Sequence, residues 1–286
     1  MSDQPQLGLY DNPPPYNTPM LHQSIATVLI NKSPLHAYHR KFVEREGPET
    51  DATNLGDLCH ALMLGGKEIV AVEANDWRTN AAKEQREAIK ADRKIAVLAH
   101  KLREAEGIAA TLTAGLEKRG IILNGVSEQT AIWQSPTGVW CAGRLDHLWL
   151  NKKTAQILDF KFVADASKRK CESSMIQYGY DIQHAAYVQA IGTIHPELAG
   201  RVTMRFVFIE TEPPYAMRLM PLAGSMRTSG EYRWGKAVDL WRNLLDEYGT
   251  EHPWPAYYDD GEPAECPAWA LNAELARNLV EEGGNL

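Results

Sequence analysis

The sequence of 286 residues contains no apolar run long enough to cross a lipid bilayer, which excludes a protein anchored by transmembrane helices. Residues 1–19 are polar and rich in proline, and they lack the charged and then apolar pattern of a secretion signal. A phosphate-binding loop of the form G-x-x-x-x-G-K-[ST] is also missing, so we expect no use of ATP. Together these absences predict a cytoplasmic protein that works without ATP and without a membrane.

Cysteine is scarce, and the four cysteines, Cys59, Cys141, Cys171 and Cys266, are widely scattered. No C-x-x-C pair occurs, and no cysteine has a histidine at the spacing of a zinc finger. The spacing therefore supports neither a zinc finger nor a disulfide scaffold. We expect free thiols in a reducing compartment.

Positive charge is in the minority, because 30 lysines and arginines are outnumbered by 37 acidic residues, and the net charge is -7. This balance argues against a protein whose whole surface binds nucleic acid. It does not exclude a local basic groove, for which the candidates are Lys152–Lys153, Lys168–Lys170 and residues 83–103. Such charge runs are more often solvated faces.

The first part of the chain has the pattern of helices. Apolar spacing predicts a helix that ends near Ser33, a second that begins at Pro34, and a buried amphipathic helix over residues 55–63. Residues 80–116 are rich in Ala, Glu, Lys and Arg with few helix breakers. This composition favours one long helix or two consecutive helices.

The second part of the chain introduces strands. Residues 127–134, 138–150 and 154–163 are rich in β-branched and aromatic side chains, which predicts an antiparallel meander of three strands. A helix over 173–192, two strands around "TEPP" and a closing helix over 229–248, with Ser as its N-cap, follow. This order predicts an α/β fold of three layers, in which helices flank a mixed central sheet.

The expected domain organisation has three parts. Pro13–Pro15 supply no backbone donors and little apolar periodicity precedes Leu21, which predicts a flexible N-terminal arm over residues 1–18. One domain is expected over residues 19–272, followed by a C-terminal tail over 273–286.

Three charged residues, Asp146, Asp159 and Lys161, interrupt the apolar hairpin "GRLDHLWLNKKTAQILDFKFV" of residues 143–163. A symmetric turn within "NKKT" would place Asp146 directly opposite Asp159. Opposed Cβ atoms are about 4.5 to 5.5 Å apart, so the two carboxylates would repel each other unless a cation lay between them. A turn with an odd number of residues would separate them, and an edge-strand ion pair between Asp159 and Lys161 is the structural alternative.

A divalent cation would explain why the hairpin tolerates these charges. Carboxylate oxygens without a Cys or His cluster favour a hard ion, Mg²⁺, with Mn²⁺ as a substitute. Lys161 lies on the same face as Asp159 and could hold a water or an oxyanion beside the ion. Leu158, Phe160 and Phe162 indicate a central strand rather than an edge strand, which favours the cation site over the ion pair.

The spacing D-x12-D-x-K, formed by Asp146, Asp159 and Lys161, resembles that of the PD-(D/E)XK nuclease superfamily. The resemblance implies a restriction-endonuclease-like fold. Two departures concern the motif itself: Leu145 stands where the superfamily's name has proline, and the second acidic residue is aspartate, which keeps the carboxylate.

Further motifs are similar to those of the exonuclease VIII (RecE-type) and RecB-like branch of this superfamily. "GDLCH", which ends at His60, resembles the G-x-x-x-H helix motif of that branch, and "QHAAY", from Gln183 to Tyr187, resembles its Q-x-x-x-Y helix motif. The segment "SPLHAY" is similar to its S-P-x-x-Y/H motif. The resemblance covers roughly residues 18–270.

The resemblance implies a role for each residue of the D-x12-D-x-K motif. Asp146 and Asp159 would bind Mg²⁺ together with the backbone carbonyl of Phe160, and Lys161 would orient or activate the attacking water. His60 would be a ligand or a phosphate contact at a second metal position, although a single histidine on an apolar helix is more often a packed core residue.

Three other residues complete the expected site. Gln183 and Tyr187 are four residues apart and therefore share one helix face, from which the resemblance implies contact with the DNA strand that is cut. Glu128, on the first strand of the meander, is a further acidic candidate, although a glutamate at a strand end ordinarily faces solvent.

The function that the resemblance implies is a metal-dependent exodeoxyribonuclease that hydrolyses the phosphodiester bonds of linear double-stranded DNA from its ends, in the 5′ to 3′ direction and without ATP. The single strand that it leaves would pass to an annealing protein, and the enzyme would form a toroidal trimer or tetramer in a bacterial cell, encoded by a phage or prophage. Cys266 alone follows the nuclease motifs, so no iron–sulfur cluster is expected. The alternatives are a DNA endonuclease of the same superfamily and a non-catalytic DNA-binding or assembly module.

Overall fold

The structure is a computed structural model that describes residues 4–44, 55–66, 68–257, 263–267 and 270–272. The strands are β1 Gly8–Tyr10, β2 Leu21–His22, β3 Ile69–Val72, β4 Ile95–Leu98, β5 Val126–Gln134, β6 Trp140–Leu150, β7 Ala155–Val163, β8 Val202–Glu210 and β9 Met217–Pro221. The helices are α1 Gln23–Asn31, α2 Pro34–Tyr38, α3 Leu55–Leu64, α4 Asn80–Ala91, α5 Ala99–Glu117, α6 Lys168–Gln177, α7 Tyr180–Ile194 and α8 Gly224–Tyr248. A π-helical turn follows α2 at His39–Val43, and a 3-10 turn follows α7 at Pro196–Leu198.

Seven strands form one mixed sheet in the order β1-β5-β6-β7-β8-β9, and β2 pairs in parallel with β6 off this path. β5, β6 and β7 form the antiparallel meander that the sequence predicts. The chain then crosses over through α6 and α7 and returns as β8, parallel to β7. β7 therefore lies between two long neighbours, which confirms the central position expected from its apolar residues.

Helices cover both faces of the sheet. One face packs beneath α1, α7 and α8 in a core that includes the buried side chains of Trp133, Phe206 and Trp241. The other face packs beneath α3 and α5 in a smaller core that includes Ile108 and Phe160. The result is a three-layer α/β arrangement with a mixed central sheet, and the predicted fold class is confirmed.

Residues 80–116 contain two consecutive helices, one of the two arrangements that their composition predicts, but a strand that the composition does not predict lies between them. A short strand, β4, separates α4 from α5 and pairs in parallel with β3 to form a second, two-stranded sheet. β4 has four residues, too few to show a period in the sequence. Its Val97 packs in the same core as α3 and α5, so tertiary packing decides its conformation.

The helix predicted over residues 173–192 is in fact two helices. α6 ends at Gln177, and Gly179, with a φ of 71°, precedes α7. A Cβ at Gly179 would clash with the side chain of Thr27 on α1, so glycine here serves both the left-handed turn and the close approach of the helices. α7 also continues past Gly192, where the sequence predicts its end.

The closing helix begins earlier than predicted. α8 starts at Gly224, so Ser229 lies inside the helix and is not its N-cap. The Ser229 hydroxyl instead donates to Asp181 Oδ2 of α7 at 3.4 Å. The predicted end at Gly249 is confirmed, since this residue follows α8 with a φ of 64°.

The N-terminal segment is partly in the sheet. Gly8–Tyr10, within the expected flexible arm, pair antiparallel with β5 as β1. The expected tail over residues 273–286 lies outside the described residues, and the domain limits stay predictions. None of the described helices combines the length and the hydropathy that crossing a bilayer would require.

Candidate active site

The β6–β7 ladder ends at the two aspartates. It pairs His147 with Leu158, which is the register that a symmetric "NKKT" turn predicts. The next pair in this register would be Asp146 and Asp159, but the ladder stops before them. Instead, Asp146 Oδ2 accepts a hydrogen bond from the N–H of Phe160 at 2.7 Å. The predicted register is confirmed, and the two aspartates lie beside each other where the regular pairing ends.

Glu128 lies at a matching interruption on the other side of β6. The β5–β6 ladder continues before and after Glu128 and Asp146 but omits that pair. Glu128 has a φ of 57°, in the left-handed region that residues other than glycine rarely adopt. Leu145 and Leu148 belong to the same core, although regular alternation would place them on opposite faces, so the alternation shifts at Asp146. Three carboxylates thus lie side by side across β5, β6 and β7.

His60 joins two of these carboxylates from α3. Its Nε2 is 3.0 Å from Asp146 Oδ2, and its Nδ1 is 3.4 Å from Glu128 Oε1. One ligand atom from each of the three residues lies within 4.8 Å of the others. Burial acts to lower the pKa of His60, but hydrogen bonds and charge from Asp146 and Glu128 outweigh it and raise the pKa to about 10. The two carboxylates thus favour the protonated imidazole, and a role of His60 as a metal ligand would require release of that proton.

The packing of α3 explains why His60 reaches the sheet. Leu58 and Cys59, the two residues before it, are buried in the core that α3 shares with α5. The Cys59 thiol donates to the carbonyl of Ala105 on α5 at 3.8 Å, and burial raises its pKa to about 12. His60 follows on the helix and is only half-buried, at the edge of that core.

Arg144 extends the group of charges toward solvent. Its Nη2 forms an ion pair with Glu128 Oε2, and its side chain is 63% exposed. Glu128 therefore contacts Arg144 through one oxygen and His60 through the other. These contacts alternate in charge when His60 is protonated: Glu128 lies between Arg144 and His60, and Asp146 contacts His60. Each of the two carboxylates then has a cationic neighbour.

Asp159 is fully buried and faces α7 rather than α3. Its Oδ2 accepts a hydrogen bond from Gln183 Nε2 at 2.5 Å, and its Oδ1 forms an ion pair with Lys161 Nζ. Among the described residues, the ammonium group of Lys161 is the polar neighbour of Oδ1. Burial and the charge of Asp146 raise the pKa of Asp159, and Lys161 opposes them. The buried carboxylate of Asp159 thus already has one cation, the ammonium group of Lys161, as its neighbour.

Tyr187 supports the strand that carries Asp146. Its hydroxyl donates to the carbonyl of Arg144 at 2.8 Å, and its ring lies over Gly143, where a Cβ would come within 2.5 Å of the ring. Gln183 and Tyr187 share a helix face, as their spacing predicts, and both line the same cavity as Asp146 and Asp159. Their partners in the structure are Asp159 and the β6 backbone, while contact with DNA stays a prediction.

One cavity of about 320 Å³ joins these groups. It is lined by six of the predicted residues, His60, Asp146, Asp159, Lys161, Gln183 and Tyr187, together with Arg144 and with His22, Gln23 and Ser24. The last three come from β2 and the first turn of α1, which reach the cavity because β2 pairs with β6. Glu128 and Phe160 contact this group from beside the cavity.

The donor set fits a hard divalent cation. Glu128 and Asp146 offer carboxylate oxygens beside the His60 imidazole, and Asp159 adds a buried carboxylate that lines the same cavity beside Lys161. Oxygen ligands of this kind suit Mg²⁺ and Mn²⁺. Phe160 borders the site through its N–H, and its carbonyl as a ligand stays a prediction.

The residues of the site differ in how far the sequence points to them. Glu128 lies opposite Asp146 because Gln134 pairs with Trp140 across the five-residue turn "SPTGV", whereas a symmetric turn of the four residues "SPTG" would set Glu128 opposite Leu145. Arg144 follows from Glu128 only when the three-dimensional contact is known. His22, Gln23 and Ser24 reach the cavity only because β2 pairs in parallel with β6, and no local pattern in the sequence predicts that pairing.

A family described as a PDDEXK-like domain of unknown function (DUF3799) matches residues 27–247. A crystal structure of a "putative exonuclease" from Eubacterium rectale aligns over 89% of this chain and 92% of that chain, with a TM-score of 0.56 and 12% identity. The structure of SSO0001 covers 65% of this chain and 84% of its own, with a TM-score of 0.27 and 14% identity. No curated protein matches significantly.

Proposed function

The chain belongs to the PDDEXK-like family, and from this premise we propose that it is a metal-dependent exodeoxyribonuclease acting on linear double-stranded DNA. The observation that carries the proposal is the row of three carboxylates, Glu128, Asp146 and Asp159, beside the ammonium group of Lys161. Carboxylates bind a hard cation, and an ammonium group binds a phosphate or a water. Phosphodiester hydrolysis requires both kinds of group.

The acidic residues and His60 would hold the cation. Glu128, Asp146, Asp159 and His60, with the carbonyl of Phe160, are the proposed ligands of Mg²⁺, and Mn²⁺ would substitute. When bound, the ion supplies positive charge that offsets the charge developing on the phosphate and makes water more acidic.

The chain's own side chains orient the reacting groups. Lys161 Nζ donates to the attacking water or to a phosphate oxygen, and Gln183 fixes the rotamer of Asp159 through its 2.5 Å hydrogen bond. Tyr187 holds the backbone of β6 at Arg144. The exposed guanidinium of Arg144 can turn from Glu128 to a phosphate oxygen, for which its geometry is suited.

The enzyme would digest DNA from its ends rather than cut it internally. This mode of digestion is supported by the resemblance of the motifs to the exonuclease VIII branch, and by the Eubacterium rectale protein, which is itself described as a "putative exonuclease". Digestion in the 5′ to 3′ direction would leave a single strand for an annealing protein, as in phage recombination. A toroidal trimer or tetramer with basic residues along its channel would reconcile DNA binding with a net charge of -7.

Degradation of end-labelled linear duplex DNA tests the activity. The wild-type protein should release label with Mg²⁺ or Mn²⁺ and none with EDTA, and comparison of the two labelled ends gives the polarity. Asp159→Asn should lower the rate at least about 100-fold, because the carboxylate charge is lost while the side-chain shape is kept. Asp239→Asn, an exposed residue on α8, is the matched control and should leave the rate unchanged.

Equal rates for Asp159→Asn and the wild type would refute the proposed site. Covalently closed circular DNA separates the alternatives, since an exonuclease leaves the circle intact and an endonuclease nicks it. DNA binding without hydrolysis under any metal would instead favour the non-catalytic DNA-binding or assembly module.

A further inference from the structure

The ammonium group of Lys161 rests against aromatic rings as well as against Asp159. Lys161 Nζ lies 4.5 Å from the centroid of the Tyr180 ring and 5.8 Å from that of Phe206. Both distances lie within the about 6 Å over which a ring face attracts a cation. Tyr180 stacks on Phe206 with centroids 5.6 Å apart and an interplanar angle of 24°. The ammonium group is thus bounded by one carboxylate and two rings.

One turn of α7 contacts both members of the Asp159–Lys161 pair. Tyr180 is the first residue of α7, and Gln183 follows three residues later on the same helix face. Gln183 binds Asp159 while the Tyr180 ring lies against Lys161. Both contacts are therefore made by the first turn of α7, which begins directly after Gly179 and is one rigid element.

The surroundings restrict how far Lys161 can move. Its side chain is only 17% exposed, although a lysine at a protein surface ordinarily samples many rotamers. Phe206 and Phe208 are fully buried and pack against the Tyr180 ring, so that ring is itself held in place. The position of the ammonium group is therefore set before any ligand arrives.

We propose that Tyr180 is a positioning residue for hydrolysis, because its ring fixes the ammonium group of Lys161 beside Asp159 and toward the cavity. The inference rests on the proposed nuclease function. Tyr180 acts through Lys161 and does not itself touch the reacting atoms. Its contribution is the attraction between the ring face and the cation, which depends on the electron density of the ring and not only on its shape.

Substitution at Tyr180 gives the first measurement. Tyr180→Phe keeps the ring face and should retain kcat within about twofold. Tyr180→Leu removes the ring and should lower kcat about 10- to 30-fold with little change in KM, which is the size of a desolvated cation–π contact. Phe42→Leu is the packing control: it removes a ring that stacks on Trp241 in the same core but not on Tyr180, and it should lower the thermal stability while leaving kcat unchanged.

A series of fluorinated phenylalanines at position 180 separates attraction from packing. Each added fluorine weakens the negative face of the ring while nearly preserving its shape, so kcat should fall stepwise, by about tenfold over three fluorines. The melting temperature should stay constant along the series. An active enzyme whose kcat is flat along the series would overturn the positioning role.

An NMR measurement tests the contact without reference to activity. The ε-methylene signal of Lys161, assigned by its loss in Lys161→Arg, should be shifted upfield by the ring current and should return to its ordinary position in Tyr180→Leu. An unshifted signal in the wild type would overturn the inference. A protein that keeps the shift but cleaves no DNA would refute the proposed function, and the hydrolytic role of Tyr180 with it.

Discussion

The carboxylate of Asp146 accepts the backbone N–H of Phe160 at 2.7 Å, so a side chain of β6 replaces the backbone acceptor that an antiparallel strand would offer. The same oxygen, Oδ2, lies 3.0 Å from His60 Nε2. One atom therefore connects α3, β6 and β7. The residue proposed as a metal ligand is also part of the hydrogen bonding of the sheet.

Two substitutions of Asp146 should separate these two functions. Asp146→Asn keeps an oxygen for the N–H of Phe160, whereas Asp146→Ala leaves that partly buried donor unpaired. We expect the alanine variant to be less stable than the asparagine variant by about 1–3 kcal/mol, as measured by urea denaturation. Both variants should lack nuclease activity. Equal stabilities would show that the hydrogen bond to Phe160 contributes nothing.

The left-handed backbone of Glu128 predicts an unusual order of stabilities. Glu128→Gly and Glu128→Ala both lose the contacts of the side chain, but only alanine retains the strain of a φ of 57°. The glycine variant should therefore be the more stable by about 1 kcal/mol. At Gln129, the next residue on β5, the order should reverse, because glycine weakens a regular strand. The same order at both positions would contradict the strain at Glu128.

Binding of Mn²⁺ or Mg²⁺ should stabilise the fold, because a cation offsets the repulsion among Glu128, Asp146 and Asp159. At 100 times the dissociation constant, the gain should be about 2.7 kcal/mol, visible as a higher melting temperature that EDTA reverses. Asp146→Asn should abolish the metal-dependent rise, while Asp239→Asn should retain it. A melting temperature that is independent of metal in the wild type would count against the proposed ligand set.

The stability should fall in mild acid through His184. This residue of α7 is buried, and burial together with the charge of Arg227 lowers its pKa to about 4. In the unfolded chain the pKa is about 6.5, so between these values the unfolded state binds more protons. The contribution of neutral His184 to the free energy of unfolding is therefore complete above pH 6.5 and is lost as the pH drops toward 4. This loss is at most about 3 kcal/mol.

His184→Gln checks that assignment by urea denaturation at several pH values. The variant should have a flatter dependence of the unfolding free energy on pH between 6.5 and 4 than the wild type. His252→Gln, at an exposed position, should keep the wild-type slope. A slope unchanged in His184→Gln would show that other groups cause the loss of stability.

Two glycines five residues apart on α8 should respond oppositely to alanine. A Cβ at Gly230 would overlap the carbonyl oxygen of Asp181 on α7, whereas a Cβ at Gly235 would meet no atom within 4 Å. Gly230→Ala should lower the free energy of unfolding by about 1–3 kcal/mol through overpacking. Gly235→Ala should raise it by about 0.5–1 kcal/mol, because alanine favours a helix. Thermal denaturation of both variants measures these changes. A Gly235→Ala variant less stable than the wild type would refute the expected gain at that position.

Local patterns in the sequence predict the meander and the register of β6 with β7, because alternation and turn symmetry act over a few residues. Asp146 and Asp159 become neighbours if the "NKKT" turn is symmetric, and the ladder confirms that symmetry. The central position of β7 follows from its continuous apolar residues. These features depend on short-range geometry, which a sequence pattern records directly.

Contacts between segments that are distant in the sequence are harder to predict from local patterns. The His60–Asp146 contact joins residues 86 positions apart, and only the resemblance to a known family pointed to it. The left-handed backbone of Glu128 has no residue signal, since glutamate is not typical of that conformation. The sequence does not predict β4, because four apolar residues cannot reveal their period and the pairing of β4 with β3 depends on the tertiary fold.

The short strand β1 has a consequence for the behaviour of the protein in solution. It pairs with Thr130–Ile132 of β5, and so the outer edge of the sheet is a strand of three residues. At the opposite edge, β9 is also short and ends at Pro221, which has no N–H to donate. Open strand edges recruit other chains, and a protein shortened to begin after Tyr10 would expose the longer edge of β5. A few residues near the start of the chain thus protect the sheet from edge-to-edge aggregation.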